Sequence, residues 1–245
     1  MTTPAPVLFI SHGAPTMAIE PGLIGQQLRA LGARLPAIRA VLVVSPHWQT
    51  REVVVMATAQ PQTLYDFGGF PASLYALTYP APGAPALAAL SARTLSAAGY
   101  QVQLDDRRGL DHGAWVPLFH LLPEAQVPVF QVSMPYTLTT AEALQLGRAL
   151  APLREQGVLI MGSGSMTHNL GEFRGPATQA SPYVQEFESW VDQAVLGNQV
   201  DALVNYRQLA PHAQRAHPSE EHLLPLLESL GAQRPGHHPQ LIDGG

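Results

Sequence analysis

The chain has 245 residues, 46% of them hydrophobic and only 13% charged, with a formal net charge of −5 at pH 7. That suits one large globular domain spanning residues 1–245, with ample apolar material for a core. All 13 basic residues are arginine and cysteine is absent, which excludes lysine Schiff bases, Walker-type phosphate loops, thiol nucleophiles, iron–sulfur clusters, thiolate zinc sites and disulfides. Ten histidines remain as the main resource for catalysis or metal binding.

The first residues, MTTPAPVLFISHG, lack a basic segment and a long apolar one, so no signal peptide is expected. No run approaches membrane length, and the arginines are scattered through an acidic chain. A soluble cytoplasmic protein that binds neither membrane nor nucleic acid is therefore expected. Residues 6–10 read as a buried strand, followed by His12 in SHG; residues 23–35 read as a helix. A strand at 40–44 is followed by His47 in SPHW, and another strand spans 53–58. Residues 60–85 are rich in Pro, Gly and aromatics (Tyr65, Phe67, Phe70, Tyr75, Tyr79) and read as an ordered loop covering a site. A helix at 84–98 follows, then His112 in DHGAW ahead of a further helix, on which His120 reads as structural. Residues 127–132 form a strand, 140–156 a helix and 157–161 a strand followed by His168 in GSGSMTHN. After a helix at 182–197 and a loop with a structural His212, HPSEEHLLPL puts His217 and His222 around a helix start with Ser219 as N-cap. His237 and His238 fall in a structural tail. Apolar strands alternating with helices give an α/β fold, a single domain with a central mostly parallel sheet covered by helices on both faces.

Open α/β sheets build sites beyond the carboxyl ends of their strands. His12, His47, His168 and His112 follow or nearly follow that rule, and with His217 or His222 they can converge on one pocket. Ser163 and Ser165 lack the G-x-S-x-G spacing of a nucleophile elbow, which disfavours a serine hydrolase. Neutral imidazoles suit Fe(II) or Zn(II), and three facial ligands leave positions open for substrate, water or dioxygen. Further histidines near such a site can move protons close to neutral pH.

Seven motifs occur together and in order: SHGAPTMAIE, VVSPHW, YDFGGFP, YPAPG, DHGAWVPL, SMTHNL and EEHLLPL. Over about residues 8–230 the chain resembles the class III extradiol ring-cleavage dioxygenase superfamily, in its single-chain DOPA 4,5-dioxygenase-like (LigB-like) branch. The resemblance implies a mononuclear metal on His12, His47 and His222, with Fe(II) for activity and Zn(II) as another ion such proteins carry. Glu221 is a reserve ligand, because other branches use two histidines and a carboxylate. His168 is implied as the acid–base catalyst and His112 as a pocket residue orienting substrate or oxygen. Tyr65 and Phe67 can stack on a planar catechol or fill core, and His217 can lie at the pocket rim or cap its turn. The expected reaction opens the ring of a DOPA-like catechol with both atoms of O2. A zinc hydrolase on the same histidines and a non-enzymatic interaction protein with a vestigial site are the alternatives. Relatives of this kind usually carry one further short segment returning to the sheet beyond the point where this sequence reads LIDGG, a departure expected to touch the sheet and not the histidines.

Overall fold

A computed structural model of the chain describes residues 4–172, 181–234, 236 and 238–244; His237 lies outside them. One sheet contains β1 Val7–Ser11, β2 Ala40–Thr50, β3 Val53–Met56, β4 Val102–Asp105, β5 Val129–Pro135 and β6 Val158–Gly164, in the order β1-β6-β2-β5-β3-β4. The first four in that order run parallel, while β3 meets β5 antiparallel and pairs in parallel with β4. The inner strands β2, β5 and β6 are buried on both faces, which is why their sequences are nearly continuous apolar runs.

Around the sheet lie α1 Gly22–Gly32, α2 Pro85–Ala97, α3 His112–Leu121, α4 Thr140–Leu150 and α5 Pro182–Leu196. The short helices α6 Val200–Val204, α7 Tyr206–Leu209 and α8 Ala213–Ala216 then lead to α9 Leu224–Ala232. Strand alternation in β6 separates the two faces. Ser163 bonds the Gly113 carbonyl of α3, whereas side chains at Gly162 and Gly164 would collide with the Pro225 and His222 carbonyls at the start of α9. The helices therefore cover both faces, as expected. On the second face α4 and α9 touch backbone to backbone, because Gly147 meets the Glu228 carbonyl and Gly231 the Leu144 carbonyl.

Four expectations need correction. The strand expected at 40–44 continues to Thr50 and contains His47. Its ladder with β5 jumps from Val44↔Val132 to Gln49↔Met134, so residues 45–48 bulge opposite Ser133 alone. Pro46, which has no N–H to donate, sits in that bulge. The helix expected at 140–156 ends at Leu150 and continues as a 3-10 turn, Ala151–Gln156, where Pro152 removes a helical donor. His112 is not ahead of α3 but opens it, capped by Asp111. Ser219 is not the cap of α9: a turn with Leu223 and Leu224 N–H groups on the Glu220 carbonyl precedes that helix, and the Ser219 hydroxyl donates to Glu221 instead. In addition, β4 was not anticipated.

The 60–85 segment is ordered, as expected. A 3-10 turn spans Ala72–Ala76, the Trp115 indole donates to the Leu64 carbonyl at 2.9 Å, and Tyr79 donates to the Leu122 carbonyl at 2.9 Å. His120 is structural, with Nε2 donating to the Met17 carbonyl at 2.8 Å and Nδ1 facing Arg29 Nη1 at 3.1 Å.

Glu228 of α9 is 1% exposed, and among the described residues neither of its carboxyl oxygens has a hydrogen-bond partner. Burial pushes its pKa well up. The folded state thus keeps a proton that the unfolded chain releases near its ordinary value, so this group's contribution is fully present at low pH and is lost as pH rises. Glu228→Gln is expected to remove that loss. Its melting temperature should gain progressively on the parent's as pH rises from 5 to 9. Parallel melting curves across that range would refute this account of Glu228.

Candidate metal centre

Three remote segments bring imidazoles to the carboxyl end of the parallel strands. His12 follows β1, extends the ladder by donating its N–H to the Gly164 carbonyl at 2.9 Å, and precedes Gly13, whose φ of 59° turns the chain away. His47 stands in the β2 bulge. Arg108 Nη2 holds its carbonyl at 3.2 Å and pairs with the buried Asp111 carboxylate, also at 3.2 Å. His222 lies on the turn before α9, pressed onto β6 where Gly164 has no side chain, with its carbonyl accepting from Ser165 N–H at 2.9 Å.

His12, His47 and His222 can each offer one ligand atom such that all three lie within 4.8 Å of one another. Two further groupings meet the same criterion and share members with the first: His47, Asp66 and His112, and His168, Glu221 and His222. Tautomers distinguish the atoms available. Ser163 Oγ donates to the Gly113 carbonyl at 2.5 Å, so at 3.0 Å from His12 Nδ1 it must accept. That leaves His12 Nε2 with a lone pair. Glu221 Oε1 accepts from His222 Nδ1 at 3.0 Å and leaves Nε2 of that ring bare as well. His47 Nδ1 faces Asp66 Oδ2 at 3.9 Å, while its Nε2 stands 3.1 Å from Nε2 of His12. Two nitrogens bound to one ion at about 2.1 Å in neighbouring positions stand about 3.0–3.4 Å apart. The donor set and its spacing therefore fit a divalent cation of the Fe(II) or Zn(II) kind.

Electrostatics favour the neutral, ligating form. Burial, and then the neighbouring imidazoles led by His47, push His12 well below its ordinary pKa. Burial together with His112 and His222 takes His47 down to about 3 against an opposing pull from Asp66. Burial raises the Asp66 carboxyl, but its bonds from His112 outweigh that and the net direction is down. The bond from His222 takes Glu221 to about 2 despite its burial.

The other expected residues are placed as follows. The His168 ring stacks on His222, with centroids 3.4 Å apart and planes 11° from parallel. His112 lies 3.9 Å from the His47 ring and meets Phe67 edge-on at 5.6 Å. Tyr65 packs against Phe67, Tyr75 and Trp115, and its hydroxyl donates to the Leu77 carbonyl at 2.6 Å. His217 is 0% exposed and sits against Phe187 and Tyr206, not at the rim, with Nε2 donating to the Met166 carbonyl at 2.9 Å. It belongs to the packing that holds the turn. Glu221 sits behind His222 as its hydrogen-bond acceptor. Sequence reasoning missed Asp66 and considered Ser163 only as a nucleophile. The acidic residue within YDFGG and the hydroxyl between two glycines were the available signals.

A sequence profile described as the catalytic LigB subunit of aromatic ring-opening dioxygenase matches residues 7–238. A 4,5-DOPA dioxygenase extradiol of Beta vulgaris is 39% identical over 247 residues, covering 97% of this chain and 91% of the relative. A protein of the same name from Escherichia coli (strain K12) is 38% identical over 243 residues, covering 94% of this chain and 86% of its own. The crystal structure of an uncharacterized protein from Escherichia coli K12 superposes with a TM-score of 0.78 at 34% identity, covering 96% of this chain and 91% of that one.

Gly164 is expected to control the cradle. Gly164→Ala should displace the His222 turn and weaken Zn(II) binding about 10–100-fold, the usual scale for a disturbed supporting contact. His12→Ala should weaken it further. Competition titration against a chelating dye measures both, and parental affinity in Gly164→Ala would show that the turn is held by something else.

Proposed function

The chain belongs to the family of the catalytic LigB subunit of aromatic ring-opening dioxygenase, and on that premise we propose that it cleaves a DOPA-like catechol beside its diol, using a metal held by His12, His47 and His222. The observation that carries this reading is the convergence of three imidazoles: the bare Nε2 atoms of His12 and His222, with Nε2 of His47 3.1 Å from that of His12. Fe(II) is the working ion of this reading. It supplies, when bound, Lewis acidity for a catechol hydroxyl and a path for electrons between ring and dioxygen. Zinc outranks Fe(II) at nitrogen-rich sites, so zinc in purified protein is compatible with the same function.

The chain's own residues prepare the substrate. Stacked on His222, His168 stands beside the triad without belonging to it. Burial and then His222 lower its pKa to about 4, against the pull of Glu221, so at neutral pH the ring carries a lone pair. Its Nδ1 faces Glu221 Oε1 at 3.9 Å, and in this reading Nε2 takes the proton of a catechol hydroxyl. His112 lines the opposite side beside His47 and orients the substrate. Phe67, with Tyr65 fixed behind it, forms an aromatic wall that packs on the planar ring and excludes water. Both oxygen atoms end in the product, a ring-opened semialdehyde acid. The names of the Beta vulgaris and Escherichia coli relatives support a DOPA-like substrate.

The test is oxygen uptake by Fe(II)-reconstituted protein across catechols differing in side-chain charge. In His168→Ala, metal content and melting temperature should hold while turnover falls about 10²-fold or more, the scale of a lost general base. In His47→Ala the metal itself should be lost. Near-normal turnover in folded, metal-loaded His168→Ala removes this histidine from the mechanism. Absence of oxygen uptake with every catechol overturns the substrate class.

A further inference from the structure

Asp66 stands in the aromatic loop, and both of its carboxyl oxygens are engaged by one residue. Oδ1 accepts the His112 backbone N–H at 2.9 Å, and Oδ2 meets His112 Nδ1 at 3.0 Å. The same Oδ2 lies 3.9 Å from His47 Nδ1. An ionised carboxylate can only accept, so the proton between Oδ2 and His112 belongs to Nδ1. In the neutral ring Nε2 is then left bare, on the edge turned away from Asp66. The carboxylate is also clamped: with its other oxygen on the backbone of the same residue, it cannot turn without breaking a second bond. His112 is 7% exposed, and no other hydrogen-bond partner competes for its Nδ1 among the described residues.

We propose that Asp66 is a positioning residue that fixes the tautomer of His112, so that His112 meets the substrate with an acceptor nitrogen and not with a donor. Its contribution to turnover rests on the ring-opening reading above; the tautomer itself does not. Presented this way, His112 accepts a hydrogen bond from a substrate hydroxyl, the natural partner being the second hydroxyl of a vicinal diol. The orientation it gives thus depends on a carboxylate that never touches the substrate. Through the same oxygen Asp66 also faces the back of His47, so one side chain supports both rings on this side of the pocket.

An amide at this position makes an opposite prediction. In Asp66→Asn the backbone N–H of His112 still requires an acceptor, so the amide oxygen stays with it. The amide N–H2 then faces Nδ1, donor against donor, unless the imidazole moves its proton to Nε2. Nitrogen-15 NMR of histidine-labelled, zinc-loaded protein reads this directly, with the His112 signals assigned by their loss in His112→Asn. The expected result is a protonated Nδ1 and bare Nε2 in the parent, reversed in Asp66→Asn. With Fe(II), Asp66→Asn should retain its metal and lose turnover about 10²-fold or more, while Asp66→Glu, which keeps a carboxylate, recovers part of it. A parent His112 protonated at Nε2, or an unchanged tautomer in Asp66→Asn, overturns the proposal. So does a reversed tautomer with undiminished turnover. If Asp66→Asn does not fold, the parent spectrum alone still decides the tautomer. Failure of the parent to consume oxygen with any catechol sinks the ring-opening reading and leaves the NMR result standing on its own.

Discussion

Three consecutive residues of β6 join the two halves of the histidine cluster. Strand geometry sends Gly162 and Gly164 to one face and Ser163 to the other. The absent side chains let the Pro225 and His222 carbonyls lie against the strand, which brings His222 to the sheet's carboxyl end. The hydroxyl between them ties the His12 ring to the first turn of α3. One tripeptide thus sets both the depth of the last imidazole and the rotation of the first, and no bulkier residue can replace either glycine without moving the turn that carries His222.

Around this centre each ring has a different outer partner: a hydroxyl for His12, Glu221 for His222 and Asp66 for His112. All three partners meet Nδ1, so those three rings keep their lone pairs at Nε2, and that of His12 stands 3.1 Å from Nε2 of His47. Holding several imidazoles this close while burying them disfavours their protonation. His12, His47 and His168, kept neutral for that reason, carry unshared electron pairs that a cation or a proton donor can satisfy. Two carboxylates, Asp66 and Glu221, flank the rings as hydrogen-bond acceptors of His112 and His222.

Much of this was legible in the sequence. Strands β2, β5 and β6 announce themselves as apolar runs because they are buried on both faces, and His12, His47, His112, His168 and His222 stand in motifs placed at turns. What escaped depends on long-range partners. The strand β4 is an edge strand, with Leu104 53% exposed, so VQLD lacks the apolar continuity of an inner strand. Position 47 looked like a residue after a strand because the pairing of Gln49 and Thr50 with β5, beyond the bulge, is invisible locally. Asp66 resembles any loop carboxylate until His112, 46 residues later, folds against it. Ser163 reads as a failed nucleophile because its partners, His12 and Gly113, lie 151 and 50 residues away.

The imidazoles of His12, His47 and His222 come from β1, β2 and the turn before α9, nearly the two ends of the chain. During synthesis the first two leave the ribosome long before the third, and domains close only as their sequence becomes available. A nascent chain therefore offers only two of the three proposed ligands, His12 and His47, until the segment carrying His222 has emerged and docked on β6. For the metal proposed above, selection of the ion therefore falls to the finished fold.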